Sequence, residues 1–310
     1  MRNAFADEVT KIAGGRSELV LLSGDIGNRL FDNYKEKHKD RFYNCGVAEA
    51  NMIGVAAGLS LQGLRPIAYT ITPFITSRCL EQIRIDLCYH NLPSLIVGTG
   101  SGLSYGGLGP THHSLEDIAL LRAMPNMTVL CPADSQELRA LLRAALDHPG
   151  PVYMRIGKKG EPQIHQTVPA VQIGRGLTLR EGDDVCLIST GNALSLVLDT
   201  ATELERVGIG VTVVQLHTVK PLDDALLQTV FSRHKVIASV EEHGLIGGLG
   251  GALAEWAADH GPFGSRLLRF GTPDRFPEAI GGQSYLRSAF GLTTDSIAAR
   301  ILGVVSRPIE

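Results

Sequence analysis

Short apolar runs alternate along the chain with longer stretches in which apolar positions recur every three or four residues. Runs that are apolar throughout suit strands buried on both faces, so the alternation predicts strand–helix–strand units and mostly parallel sheets. In the first half it predicts strands at Leu19–Ser23, Arg41–Cys45, Arg65–Tyr69, Ser94–Thr99, Met127–Cys131 and Val152–Arg155. Helices are expected near Ala48–Leu61, Ser77–Tyr89, Ser114–Met124 and Ser135–Leu146. Ser114 followed by Asp117 resembles a capping box and predicts the start of the third of these.

The stretch GKKGEPQIHQTVPAV, Gly157 to Val171, is polar and aperiodic and carries two prolines, which marks a linker. Beyond it the alternation resumes, with strands at Val185–Thr190, Gly210–Gln215 and Lys235–Glu241. Helices follow near Ala193–Arg206, Asp223–Ser232 and Gly247–Ala258. The expected architecture is α/β: two tandem domains, 1–156 and 173–310, each a mostly parallel sheet flanked by helices, joined by 157–172.

Composition narrows the function classes. The chain has 310 residues, 44% of them apolar, enough for two cores. Lys+Arg number 29 against Asp+Glu 32, a net charge of -3, so no basic surface points to nucleic acid or an anionic membrane. Five cysteines are dispersed without CxxC or zinc-like spacing, which fits reduced thiols in the cytoplasm. The N-terminus lacks a signal-like apolar segment, and no run is long enough to cross a bilayer.

In open parallel sheets, ligands sit beyond the carboxyl ends of the strands. The first-half loops that qualify are SGDIGNR, CGVAE, YTITPF, GTGSGLSYGGLGPTHH and RIGKK, which gather Arg29, Glu49, His112, His113 and Arg155. Glu49 opens a helix rich in small residues, suited to close packing against another backbone. A carboxylate at such a mouth is poorly hydrated and able to exchange a proton, although an acid in a first helical turn is also favoured by the helix dipole alone. GLGPTHHS, Gly107 to Ser114, delivers adjacent imidazoles before a helix N-terminus. Neighbouring histidines diverge and no carboxylate–His spacing completes a site, so no metal is expected on this chain. GLIGGLGG, opening a second-half helix, suggests a subunit contact, with an anion site at the helix N-terminus as its rival.

Together with PNMTVLCPAD (Pro125–Asp134), KPLD (Lys220–Asp223) and EEHGLIGGLGGALAE (Glu241–Glu255), these motifs resemble the transketolase family over essentially the whole chain. The first half is similar to its pyrimidine-binding domain and the second to its C-terminal domain. The upstream GDG motif that holds the diphosphate and its Mg²⁺ or Ca²⁺ does not occur here, so the chain looks like the C-terminal subunit of a split transketolase. The resemblance implies thiamine diphosphate as cofactor, a partner subunit carrying GDG in an α₂β₂ assembly, and transfer of a two-carbon ketol unit from a ketose, phosphorylated or not, to an aldose.

It also implies roles. Glu49 matches the carboxylate that bonds the aminopyrimidine ring, with Phe74 as its stacking partner and Arg78 approaching the cofactor. His112 matches the histidine that meets substrate near the reacting carbon, with His113 beside it; Arg155 and Arg2 match substrate-phosphate ligands. A second aromatic expected near Phe74 is replaced by Cys79 or Leu80. A histidine and an aspartate used by many full-length transketolases fall on Gly100 and Leu108, which points to an unusual or modified sugar. Two further enzyme readings share much of this pattern: the β subunit of a 2-oxoacid dehydrogenase E1 component and a deoxyxylulose-phosphate-synthase-like enzyme. A non-enzymatic reading is a degenerate scaffolding subunit.

Overall fold

The computed structural model describes residues 1–27 and 29–306. The expected two-sheet α/β architecture is present. The first sheet contains β1 (Leu19–Ser23), β2 (Phe42–Asn44), β3 (Arg65–Ile71), β4 (Leu95–Thr99), β5 (Thr128–Leu130) and β6 (Val152–Ile156). The second contains β7 (Leu177–Arg180), β8 (Val185–Ser189), β9 (Val211–Gln215), β11 (Val236–Gly244) and β12 (Arg266–Thr272). One short strand breaks the segregation: β10 (Thr218–Lys220), from the second half, pairs antiparallel with β5 at the edge of the first sheet. The strand orders are β10–β5–β6–β4–β3–β1–β2 and β12–β11–β8–β9–β7. All other ladders are parallel except that of β7 on β9.

Period-two alternation divides each strand between two cores. In β1, Leu19 and Leu21 pack under the helices Arg2–Ala13 and Ser135–Asp147, with Phe5, Val9, Leu138 and Leu141. Val20 and Leu22 face the opposite layer, formed with Met52, Ile53 and Ala56 of the helix Glu49–Leu61 and with Ile83 and Leu87. The second sheet is likewise covered on both sides, by Leu194–Arg206 with Thr294–Val305 and by Asp224–Arg233 with Leu249–His260.

Two local expectations are corrected. Ser114 and Asp117 do not form a capping box, because the helix begins only at Asp117 and the Ser114 hydroxyl instead accepts from the Gly102 amide at 3.2 Å. Asp117 is drawn into the seam between the two halves. The stretch Ser77–Tyr89 is not one α-helix but a 3₁₀ turn, a short α turn and a π-helical segment, Ile83–Tyr89. The 157–172 stretch crosses without a helix or strand, tied down where Asp134 Oδ2 accepts from the Ile164 and His165 amides at 2.8 and 2.6 Å.

Candidate active site

The loops after β1, β2, β3, β4 and β6 converge at one end of the first sheet, as the strand-end rule requires. Glu49 stands in the first turn of Glu49–Leu61 and is only 3% exposed. It lies close to Gly24 after β1: a Cβ there would come within 2.8 Å of Thr70 Oγ1 and 3.6 Å of Glu49 Oε1. Glycine is thus needed so that β1's exit can pass Thr70 of the neighbouring strand. Arg78 Nη1 donates to Glu49 Oε2 at 2.7 Å, while its guanidinium stacks 4.3 Å from the centre of the Phe74 ring.

From Phe74 the site continues as a strip of rings. The edge of His112 meets Phe74 with centroids 5.1 Å apart, and Tyr105 lies 6.0 Å beyond His112. Lys158 Nζ caps the Tyr105 ring at 4.4 Å from its centre. Arg2 sits beside the Tyr105 hydroxyl, and its Nε is buried without a partner among the described residues. The strip therefore runs from a buried carboxylate to a pair of cations. Burial, reinforced by the neighbouring His113, lowers the pKa of His112 and keeps its imidazole neutral near pH 7; Thr111 Oγ1 contacts its Nδ1 at 2.9 Å.

Glu49, Phe74, Arg78, His112 and Arg2 are brought together here, while Arg155 and His113 are buried beside them. Arg155 is 2% exposed, and two of its three guanidinium nitrogens are engaged inside the seam. Nε donates to Asp117 Oδ2 at 2.7 Å, and Nη2 donates to the carbonyls of Ser114 and Glu242 at 2.8 and 2.9 Å. Its Nε and Nη2 are thus committed to the seam, with its charge facing Asp117, whereas Nη1 donates to no acceptor among the described residues. His113 turns inward, is buried, and contacts the Gly106 carbonyl of its own loop through Nε2 at 3.3 Å. That contact braces the loop, and its Nδ1 is buried without a partner among the described residues.

Lys158 and Tyr105 were the residues missed. Both lay in loops singled out from the sequence, RIGKK and GTGSGLSYGGLGPTHH. Lys158, two positions beyond the end of β6, clears the strand and reaches the Tyr105 ring. The helix opened by GLIGGLGG holds no free anion site, since Glu241 already accepts from the Leu249 and Gly250 amides at 2.7 and 2.8 Å. Among the described residues, no group of three or more His, Cys, Asp or Glu is placed to hold a metal ion, and no helix is long and apolar enough to cross a membrane.

The site thus combines a buried acid at a sheet's carboxyl end, an aromatic strip and two cations. The family is shown directly. Residues 1–162 match the transketolase pyrimidine-binding domain and residues 174–297 match the transketolase C-terminal domain, so the chain belongs to the transketolase family. It is 36% identical over 290 residues to one of the subunits of an apulose-4-phosphate transketolase of Actinobacillus succinogenes, covering 93% of each chain. It is 36% identical over 308 residues to 1-deoxy-D-xylulose-5-phosphate synthase 2 of Geobacter sulfurreducens; there it spans 98% of its own length and about half, 49%, of that relative's. A solved structure described as a split gene transketolase, inactive beta4 tetramer, superposes with a TM-score of 0.89 at 33% identity, covering 98% of this chain and 97% of that one.

Proposed function

We propose that this chain is the pyrimidine-binding subunit of a split, thiamine-diphosphate-dependent ketol transferase. It works with a second kind of subunit that holds the cofactor's diphosphate and its Mg²⁺ or Ca²⁺. The observation that carries the reading is Glu49, a buried carboxylate at a strand end beside an exposed-edged aromatic platform. These residues fit the aminopyrimidine end of the cofactor: a flat ring has Phe74 to stack on, and a ring nitrogen has the Glu49 carboxyl to share a proton with. When bound, thiamine diphosphate supplies the electron sink for breaking a carbon–carbon bond beside a ketone.

The chain's own groups do the rest. Glu49 holds a proton at the ring nitrogen, and Arg78 bridges the carboxylate and the Phe74 ring until the cofactor enters. His112, neutral and edge-on to Phe74, hydrogen-bonds a substrate oxygen next to the bond that breaks. Arg2 and Lys158 grip an anionic group at the far end of a sugar.

An assembly of α₂β₂ type fits the surface around Glu49. Val47, Val55, Leu61 and Tyr89 are exposed there, and Gly58 of the helix has nothing within 4 Å of its Cβ position, so another backbone can approach closely. The relative described as an inactive beta4 tetramer supports inactivity of this chain alone. Five free cysteines fit a cytoplasmic setting. The test is reconstitution with a chain carrying the GDG motif. Neither chain alone should transfer ketol units from xylulose 5-phosphate, fructose 6-phosphate or 6-deoxy-6-sulfofructose to an aldose phosphate, and the mixture should. Turnover by this chain unaided would overturn the reading.

A further inference from the structure

The floor of the site contains a substitution of one side chain for another. Gly100, just beyond β4, has φ +82, and a Cβ placed there would lie 2.0 Å from Tyr105 Cε2 and 2.1 Å from Cδ2. The Tyr105 ring therefore fills the space that a side chain at position 100 would take. The two positions are mutually exclusive: with Tyr105 in place, residue 100 can only be glycine, on both steric and backbone grounds. Position 108 offers nothing polar either, since Leu108 is exposed and apolar.

Tyr105 is also held firmly. Leu108 N donates to its carbonyl at 2.8 Å, and Gly106 N donates to the Leu103 carbonyl at 2.8 Å. Ser104 Oγ donates to the Ser101 carbonyl at 2.6 Å, and Leu103 N donates to Glu242 Oε1 of the second half at 2.6 Å. Glu242 is in turn paired with Arg287. The Tyr105 ring is 8% exposed, with Lys158 on its face, His112 at its edge and Arg2 at its hydroxyl. The hydroxyl thus lies beside Arg2 as a preorganised donor, on a ring that also touches Lys158 and His112. Burial raises the phenol pKa, so it keeps its proton at neutral pH.

We propose that Tyr105 is a specificity-determining residue: its hydroxyl donates to an oxygen of the sugar chain midway between the carbonyl end at His112 and the anionic end at Arg2 and Lys158. This inference rests on the ketol-transferase reading. The site has one reading group where two further side chains, at 100 and 108, contribute none. It therefore selects anionic sugars that present one oxygen at that level, and it does not discriminate at the positions those side chains would read.

The experiment uses the reconstituted two-subunit enzyme and whichever of xylulose 5-phosphate, fructose 6-phosphate and 6-deoxy-6-sulfofructose it turns over fastest, with a set of that donor's singly deoxygenated analogues. Tyr105→Phe keeps the ring over Gly100 and removes only the hydroxyl. It should raise KM about 10-fold with kcat within about twofold and an unchanged melting temperature, the size expected for one hydrogen bond between uncharged partners. One analogue should be about 10-fold worse than the parent donor with the native enzyme and no worse with Tyr105→Phe, because the lost partner is the same. Unchanged KM, or equal sensitivity of every analogue to the substitution, overturns the proposal while ketol transfer itself stands. Absence of transfer by the native pair overturns the underlying reading and this inference with it.

Discussion

Two arginine–carboxylate pairs in this molecule have the same length and opposite surroundings. Arg155 meets Asp117 at 2.7 Å with both side chains 1% exposed, and Arg78 meets Glu49 at 2.7 Å with the arginine 44% exposed and the carboxylate 4%. In the seam, burial pushes the Asp117 carboxyl up, but Arg155 and His243 outweigh it and the net shift is downward, so the pair stays ionised and locked. At the mouth the arginine can rehydrate, so the pair can part when something better arrives. Distance alone would have ranked them equal. Solvent access separates a fixed bolt from an exchangeable contact.

The comparison can be tested from its strongest consequence downward. Glu49→Gln in the reconstituted enzyme should lower ketol transfer at least 100-fold with unchanged subunit assembly by size exclusion; near-native turnover would detach the exchangeable pair from chemistry. Arg155→Met should cost about 3–5 kcal/mol in denaturant unfolding, because Asp117 is left charged and dry. Adding Asp117→Asn should recover part of that loss, and no recovery would mean the seam is held by packing.

Glu137 sharpens the contrast from a third direction, as a buried acid with no arginine. It accepts from the Ala133 amide and from Gln215 Nε2 at 3.2 Å, and burial pushes its pKa from 4.5 to about 7. The unfolded chain releases this proton near pH 4.5, whereas the folded chain keeps it until about 7. Stability should therefore fall as pH rises through that window, by about 3 kcal/mol in all. Glu137→Gln should remove this dependence and stabilise the protein at pH 8 but not at pH 4; a parallel pH profile in both proteins would show that Glu137 is ionised throughout. Smallest of all, Arg78→Ala should change unfolding free energy by less than about 1 kcal/mol while weakening cofactor binding by the assembled enzyme. A loss matching that of Arg155→Met would erase the distinction between the pairs.

How much of this was legible depends on burial symmetry. β1, β4, β8 and β9 stood out because they are apolar on both faces, and their observed limits match the expected ones within a residue. β7, β10 and β12 did not: LTLR is a half-exposed edge strand, TVK is three residues paired across the seam, and RLLRFGT is interrupted by arginines. The helix Arg2–Ala13 carries a weak signal because it has no side-chain N-cap and no acid in its first turn.

At the site, Glu49, Phe74, Arg78, His112 and Arg2 converge, since each lies in a short motif at a strand exit or beside one. The seam contact of Arg155 was hidden because its partner Asp117 is 38 positions away and looked like part of a helix cap. Lys158 and Tyr105 carried a weaker signal, a lysine in a loop and an aromatic between glycines, which gains meaning only when the Tyr105 ring is seen lying on Gly100.

The short strand β10 has a consequence for how the molecule is divided. It closes the outer margin of the first sheet, and Lys220 at its end donates to the carbonyls of Arg122 and Met124 at 3.0 and 2.5 Å. Cutting the polypeptide between residues 157 and 172 would strip that border from β5, leaving bare amides that invite a neighbour's strand. What reads as two modules in tandem is therefore stitched into a single heritable piece, and the first module produced by itself should be sticky rather than merely inactive.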